Sequence, residues 1–156
     1  MALILCIETS TKNCSVSISE NGKIIDCIEN RNDKYSHSEE LTIFISELLK
    51  NNNIDFKDLD AVAISKGPGS YTGLRIGVST AKGLCYALDI PLLSISTLES
   101  MALEIEKENP GKMYCPMIDA RRNEVYCMLI KQKETLNSVE AKIIKADSFI
   151  EFLEFE

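Results

Sequence analysis

The order in which strand-like and helix-like patterns follow one another constrains the fold of this chain most strongly. A continuous apolar run at residues 2–8 predicts a strand that is buried on both faces. Residues 14–20 alternate apolar and serine side chains, which predicts a second strand. Asn21-Gly22 is a strong hairpin signal, and residues 23–30 then return as a third strand. The chain therefore opens with a three-stranded antiparallel meander.

Helix-like and strand-like segments alternate after this meander. An amphipathic helix is predicted near residues 36–53, with Ser36 or Ser38 as its N-cap. The further segments are a strand at residues 59–65, a helix at 72–88, a strand at 92–96 and a helix at 98–109 that Thr97 caps. The first part of the chain therefore has the order β-β-β-α-β-α-β-α.

The same order begins again after residue 110. Residues 113–120, 124–131 and 139–145 predict three strands, and Asp147 or Ser148 then caps a short helix that runs to residue 156. Two β-β-β-α-β-α-β-α units side by side form the α/β architecture of the actin, Hsp70 and sugar-kinase superfamily. We therefore expect a first lobe at residues 1–110 and an incomplete second lobe at 111–156.

Composition and charge narrow the classes of function. The net charge is −7 and the isoelectric point is about 4.9, so the chain is expected to be repelled by phosphate backbones and not to bind nucleic acid by itself. No apolar run approaches the ~20 residues of a membrane span, and no export signal opens the sequence. The six cysteines form no C-x-x-C pair and lie in apolar segments, which predicts buried, reduced thiols. A cytoplasmic location is expected.

A glycine-rich stretch at residues 65–77 lies between a predicted strand and a predicted helix. Such a stretch often binds phosphate, but its spacing fits neither the P-loop pattern nor the G-x-G-x-x-G pattern of dinucleotide-binding folds. The segment Gly67-Pro68-Gly69 is therefore interpreted as a structural loop that needs a positive φ at one of its glycines.

Two further glycines of this stretch fall inside the predicted helix. Gly73 and Gly77 are four residues apart and lie on one helical face, where each costs about 1 kcal/mol relative to alanine. A face without side chains lets another backbone approach closely. From the residues alone, that neighbour is either the sheet of the same domain or a helix of a partner.

Candidate catalytic and metal-binding groups are few. His37 is the single histidine, Leu41 stands one helical turn later, and no G-x-S-x-G motif is present. The turn at residues 7–11, I-E-T-S-T, carries hydroxyls that suit Mg²⁺ and phosphate but lacks the glycine that lets phosphate approach. We therefore expect no catalytic residue, no bound metal and no cofactor. The segment at residues 119–126 predicts a charged hairpin turn.

Three segments together resemble the TsaB (YeaZ) family. They are the turn at residues 7–11, the glycine-rich run at 65–84 and I-D-A-R-R-N-E-V-Y at 118–126. The glycine-rich run followed by D-A-R-x-N-E-V-Y in one chain is highly specific. The resemblance extends from the first residues to at least Lys131.

The resemblance implies a part in making threonylcarbamoyladenosine in tRNA. Members of this family are similar to the metal-binding transferase TsaD but act as its non-catalytic partner, and a TsaE-like ATPase acts on the pair. TsaD-type chains use an H-x-x-x-H pair on the first helix for metal, whereas this chain has His37 and Leu41. No enzymatic activity is therefore expected.

The implied pairing runs through the first two helices, with a TsaD-like chain or with a second copy when that partner is absent. The predicted interface residues are Leu41, Phe44, Ile45, Gly73, Arg75, Ile76, Gly77 and Thr80. Two alternatives are an ATP-dependent kinase or ATPase of the same superfamily and a glycoprotease-like metallopeptidase. The first needs a second phosphate loop and an adenosine pocket, and the single histidine disfavours the second.

Overall fold

A computed structural model describes residues 2–30, 37–145 and 148–149 of the chain. The chain divides into two compact units, Met1–Thr97 and Leu98–Glu156. This division follows compactness rather than element order, and the lobe boundary at residue 110 stays a prediction. None of the described helices is both long and apolar enough to cross a membrane.

One five-stranded sheet organises the first unit. Its strands are β1 (Leu3–Glu8), β2 (Cys14–Glu20), β3 (Lys23–Asn30), β4 (Ala61–Ser65) and β5 (Leu92–Ile95), in the spatial order β3-β2-β1-β4-β5. The first three strands form the predicted antiparallel meander, and β4 and β5 continue it in parallel with β1. The predicted order of elements is confirmed for this unit.

Helices α1 (His37–Asn51) and α2 (Tyr71–Leu88) pack together against this sheet. The core consists of apolar side chains from both layers: Leu5, Ile7, Val16, Ile18, Val62, Ile64, Leu41, Ile45, Leu48 and Ala81. Ser38 lies inside α1 rather than at its N-cap, and Ser36 lies outside the described residues. Ser70 caps α2, its hydroxyl accepting the Gly73 N–H at 3.3 Å. Asp89 ends α2 in a left-handed conformation.

The outer face of β2 carries serines, and its inner face carries the apolar core. Ser15, Ser17 and Ser19 are half-buried, whereas the alternate residues of the strand are buried. β3 lies at the edge of the sheet and holds one extra residue, Ile25, because Ile18 pairs with Asp26 and Ser19 pairs with Ile24. This β-bulge places an unpaired residue on the edge strand.

The second unit contains most of α3 (Thr97–Glu108) and two small sheets. The sheets have the orders β10-β9-β6 and β11-β8-β7. Their strands are β6 (Met113–Tyr114), β7 (Met117–Arg121), β8 (Glu124–Cys127), β9 (Ile130–Lys131), β10 (Glu134–Thr135) and β11 (Glu140–Ile143). Leu98, Ala102, Met128 and Ile130 form the buried centre of this unit.

The predicted three-stranded meander of the second unit is wrong in one respect. Both of its long strands are divided, and the chain changes sheets at each division. Pro116 separates β6 from β7, since proline cannot donate to a ladder. Leu129 separates β8 from β9, because its N–H donates to the Asn137 side chain at 2.6 Å and its carbonyl accepts the Leu136 N–H at 2.8 Å. Ser148 and Phe149 lie in a turn, and the other residues of the predicted last helix, with Asp147, lie outside the described residues.

The six cysteines are free thiols. Burial, assisted by the nearby Glu40 carboxylate, raises the pKa of the Cys14 thiol to about 11, and burial raises the pKa of Cys115 to about 11. Both are therefore protonated at neutral pH and poorly nucleophilic. The prediction of burial is wrong for Cys27, which is exposed on edge strand β3.

Leu48 and Ile43 provide a matched test of this packing, since both lie on α1. Leu48 is fully buried, whereas Ile43 is 53% exposed. Leu48→Ala should lower the free energy of unfolding by about 2–5 kcal/mol because it leaves a cavity in the core. Ile43→Ala should change it by no more than about 0.5 kcal/mol. Urea unfolding of the two variants measures the difference, and equal losses would contradict the assigned core.

Candidate functional site

The carboxyl ends of β1 and β4 meet at one edge of the first sheet. Ile7 pairs with Ile64 across these parallel strands, so Glu8 and Ser65 end them side by side. The Ser65 hydroxyl donates to one oxygen of the Glu8 carboxylate, and the Ser10 N–H donates to the other at 2.6 Å. The acidic side chain is thus fixed between the end of β4 and the turn that follows β1.

The glycine-rich loop closes over that turn. The Ser70 N–H donates to the Ser10 carbonyl at 2.6 Å. A Cβ at Gly69 would lie 2.6 Å from the Cβ of Ser10, so only glycine allows the two segments to approach this closely. Gly67 has a φ of +106°, which locates the positive φ predicted for one of these glycines. Gly67, Pro68 and Gly69 therefore shape a loop that seals the turn.

The two glycines of α2 face the same turn from inside the first unit. A Cβ at Gly73 would overlap the Thr9 carbonyl oxygen, and a Cβ at Gly77 would overlap the Thr9 hydroxyl and lie 3.1 Å from Ile64 Cδ1. Of the two neighbours left open by the sequence, the structure places the chain's own turn and sheet against these glycines. The predicted role of Gly73 and Gly77 in an interface with a partner is therefore corrected.

The turn after β1, the glycine-rich loop and the start of α2 form one corner of the first unit. His37 lies next to this corner and is 1% exposed. Its Nε2 lies 2.9 Å from the Thr11 carbonyl oxygen. A carbonyl only accepts, so Nε2 carries the proton and donates it there. A Cβ at Gly73 would lie 3.1 Å from the imidazole Cδ2, so that glycine also makes room for the ring. The histidine ties the first turn of α1 to the turn after β1.

Phosphates of a nucleotide, which the superfamily often binds after its first strand, would have to displace the glycine-rich loop that packs on Ser10. Thr9 and Ser10 are buried, and among the described residues their hydroxyls have no hydrogen-bond partner. The Ser10 N–H already donates to Glu8, whose carboxylate would repel a phosphate. Within residues 2–30, 37–145 and 148–149, no three His, Cys, Asp or Glu side chains group as metal ligands. The expected absence of a cofactor stays a prediction.

The predicted interface residues divide into buried and exposed ones. Leu41, Ile45, Gly73 and Gly77 are buried in the first unit, so the structure corrects the prediction that they form an outward surface. Phe44, Ile76 and Thr80 are half-buried, and Arg75 is exposed. Their role in an interface stays a prediction.

Beside the predicted Arg75, the outward side of α2 carries residues that the sequence analysis missed. Tyr71 and Tyr86 are 74% and 92% exposed, and the Arg75 guanidinium lies 5.4 Å from the centre of the Tyr71 ring. Tyr71, Arg75, Ser79, Lys82 and Tyr86 recur every three or four residues and are all exposed. The helical spacing of large aromatic residues with cations was the signal that could have identified this face.

Comparison with known proteins agrees with these features. The family model described as TsaD, tRNA N6-adenosine threonylcarbamoyltransferase, matches residues 31–155. The tRNA threonylcarbamoyladenosine biosynthesis protein TsaB of Haemophilus influenzae is 35% identical over 123 residues, which are 79% of this chain and 51% of that protein. The chain thus spans about half the length of the curated relatives it matches.

Solved structures support the predicted fold class. YeaZ from Pseudomonas aeruginosa has a TM-score of 0.80 and 29% identity, covering 92% of this chain and 68% of that chain. Component A of (R)-2-hydroxyglutaryl-CoA dehydratase from Acidaminococcus fermentans has a TM-score of 0.51 and 15% identity. The match covers 98% of this chain and 51% of that protein's chain, and it shows a shared fold alone. The actin/Hsp70/sugar-kinase-like α/β fold is confirmed.

Two glycines of α2 test the assigned packing of the corner. Gly77→Ala should lower the free energy of unfolding by about 1–3 kcal/mol, because the added methyl group overlaps Thr9. Gly83, in the same helix, has no atom within 4 Å of an added Cβ, so Gly83→Ala should raise that free energy by up to about 1 kcal/mol. Urea unfolding measures both, and a harmless Gly77→Ala would place Thr9 away from the helix.

Proposed function

The chain belongs to the TsaB (YeaZ) family of tRNA threonylcarbamoyladenosine biosynthesis proteins, and we propose that it binds and activates a TsaD-like transferase without catalysing a reaction itself. The partner supplies the catalytic site, and a TsaE-like ATPase acts on the pair. Without its partner, the chain pairs with a second copy through the same surface. The complex works in the cytoplasm, where tRNA is modified.

The environment of His37 is the observation that carries this proposal. Its ring is buried and its Nε2 donates to the Thr11 carbonyl, so the imidazole is used in packing. Leu41, one helical turn later, is buried in the apolar core where a second metal-binding histidine would have to stand. Positions 37 and 41 of α1 therefore pack inside the fold, whereas a catalytic chain needs metal ligands at both positions.

The sealed turn after β1 also supports a non-catalytic role. Glu8, Thr9 and Ser10 are held against Ser65 and the first turn of α2 by hydrogen bonds and by close backbone packing. A kinase or ATPase of this fold needs such a turn open to phosphate. No observation in the described residues favours the kinase or metallopeptidase alternatives.

The exposed sides of α1 and α2 offer the surface for the partner. Ile43 is an exposed apolar residue of α1, and Tyr71, Arg75 and Tyr86 are exposed on α2. Tyrosine and arginine are enriched at the energetic centres of interfaces, because they combine a large contact area with hydrogen-bonding groups. We expect these four residues, rather than the buried glycines, to contact the transferase.

Co-purification with the cognate TsaD-like chain tests the surface. Tyr86→Ala and Ile43→Glu should each weaken the complex at least tenfold, which corresponds to about 1.4 kcal/mol. Ile24→Glu is the control, since Ile24 is 71% exposed and lies on β3 rather than on either helix. Equal weakening by the control, or full binding by both helix variants, would reject this surface.

Activity assays of the purified chain test the absence of catalysis. Neither ATP turnover nor peptide hydrolysis should be measurable with Mg²⁺ or Zn²⁺ present. His37→Ala should lower the melting temperature, because it removes a buried hydrogen bond and leaves a cavity. Metal-dependent turnover that His37→Ala abolishes in a folded protein would overturn the proposal.

A further inference from the structure

The turn between β7 and β8 has an unusual backbone for its residues. Arg121, Arg122 and Asn123 have φ values of +69°, +55° and +62°. The left-handed region costs roughly 1–2 kcal/mol for an ordinary side chain, and hairpins with this geometry favour Asn-Gly. The same chain uses Asn21-Gly22 for its β2–β3 hairpin, with φ values of +52° and +78°. Two arginines therefore stand where a turn alone would favour small residues.

The neighbouring chain holds this turn in place. The Asp119 carboxylate accepts the Arg121 N–H at 2.7 Å, and the Asn123 carbonyl accepts the Ile144 N–H at 3.3 Å. Both arginine side chains are exposed, and among the described residues no carboxylate forms an ion pair with either guanidinium. A fixed backbone thus presents two cations to solvent, which fits a residue pair retained for binding rather than for folding.

A shallow groove of about 740 Å³ adjoins the turn. Met117, Val125 and Ile144 give it an apolar floor, and the side chains of Asp119 and Glu124 stand beside the arginines. Residues 111–145 carry seven Lys and Arg and four Asp and Glu, a net charge of +3, whereas the whole chain has a net charge of −7. Residues 111–145, which include the hairpin, are therefore net positive within an acidic chain.

We propose that Arg121 and Arg122 bind the phosphodiester backbone of the RNA substrate in the complex with the transferase. Guanidinium groups suit phosphate oxygens because they donate two parallel hydrogen bonds. The apolar floor suits the face of an unstacked base, and the carboxylates can accept hydrogen bonds from base amino groups. This inference rests on the proposed function, and the contact adds to those of the transferase rather than giving the isolated chain affinity of its own.

The test measures binding of a fluorescein-labelled unmodified tRNA transcript to the complex over a series of salt concentrations. Loss of two phosphate contacts should make the slope of log K against log salt shallower by about 1.4 and lower affinity roughly 25-fold near 0.1 M salt. The variant is Arg121→Gln with Arg122→Gln. The control is Lys131→Gln with Lys133→Gln, which removes the same charge at a second left-handed turn of this unit, at Gln132 and Lys133.

Each outcome decides the matter. Weakening by the arginine variant but not by the lysine control supports the site, whereas equal weakening by both, or by neither, overturns it. Complex formation is read separately by co-purification. Failure of the wild-type chain to form the complex rejects the proposed function. A stable complex whose RNA affinity is unchanged by the arginine substitutions rejects this inference alone.

Arg122→Gly gives a second, independent readout. Glycine adopts a positive φ without strain, so this variant should melt at a higher temperature than the wild type while binding RNA more weakly. A purely structural role for Arg122 predicts instead a lower melting temperature or unchanged RNA affinity. Either of those results would contradict the proposed site.

Discussion

The contact between α2 and the turn after β1 is the constraint on which the rest of the first unit depends. Gly73 and Gly77 bring the helix backbone against Thr9 at a distance that a methyl group would prevent. The Ser10 N–H of this turn and the Ser65 hydroxyl at the end of β4 both donate to Glu8, and the Thr11 carbonyl accepts a hydrogen bond from His37 on α1. Sheet, loop and both helices are therefore joined at one small corner, where buried hydroxyls and backbone groups replace apolar packing.

The same corner bears on the proposal that the chain is not an enzyme. In our proposal, a catalytic chain needs this turn open for a ligand, whereas here α2 packs against it. By the same proposal, the closed corner makes the first unit rigid, and the outward sides of α1 and α2 bind the transferase. Such a division suits a subunit whose task is to present a preformed surface, since a rigid surface loses little conformational entropy on binding.

Much of the fold was predictable from local patterns. The period-2 alternation of β2, the Asn21-Gly22 turn and the apolar spacing of α1 each identified their elements, because burial on one face leaves a regular trace in the sequence. In the second unit, Pro116 was a sequence signal for the division between β6 and β7, whereas the division between β8 and β9 was not predictable in the same way. Residues 124–131 form an unbroken strand-like run, and only the hydrogen bonds of Leu129 to the following segment divide it.

The candidate site was predicted less well, for a physical reason. The spacing of Gly73 and Gly77 indicates that something approaches the helix closely, but spacing carries no information about which segment does so. The identity of the neighbour depends on Thr9, more than sixty residues earlier in the chain. Sequence reasoning thus found the need for close packing but left the neighbour open between the chain's own sheet and a partner, and the family resemblance favoured the partner.

The bulge at Ile25 has a consequence for how chains of this kind can vary in length: an edge strand that already holds one unpaired residue can gain or lose another without moving its neighbours. Insertion or deletion of one residue within β2 would instead turn Ser15, Ser17 and Ser19 toward the core. Insertions and deletions should therefore accumulate at β3 in homologous sequences and be absent from β2.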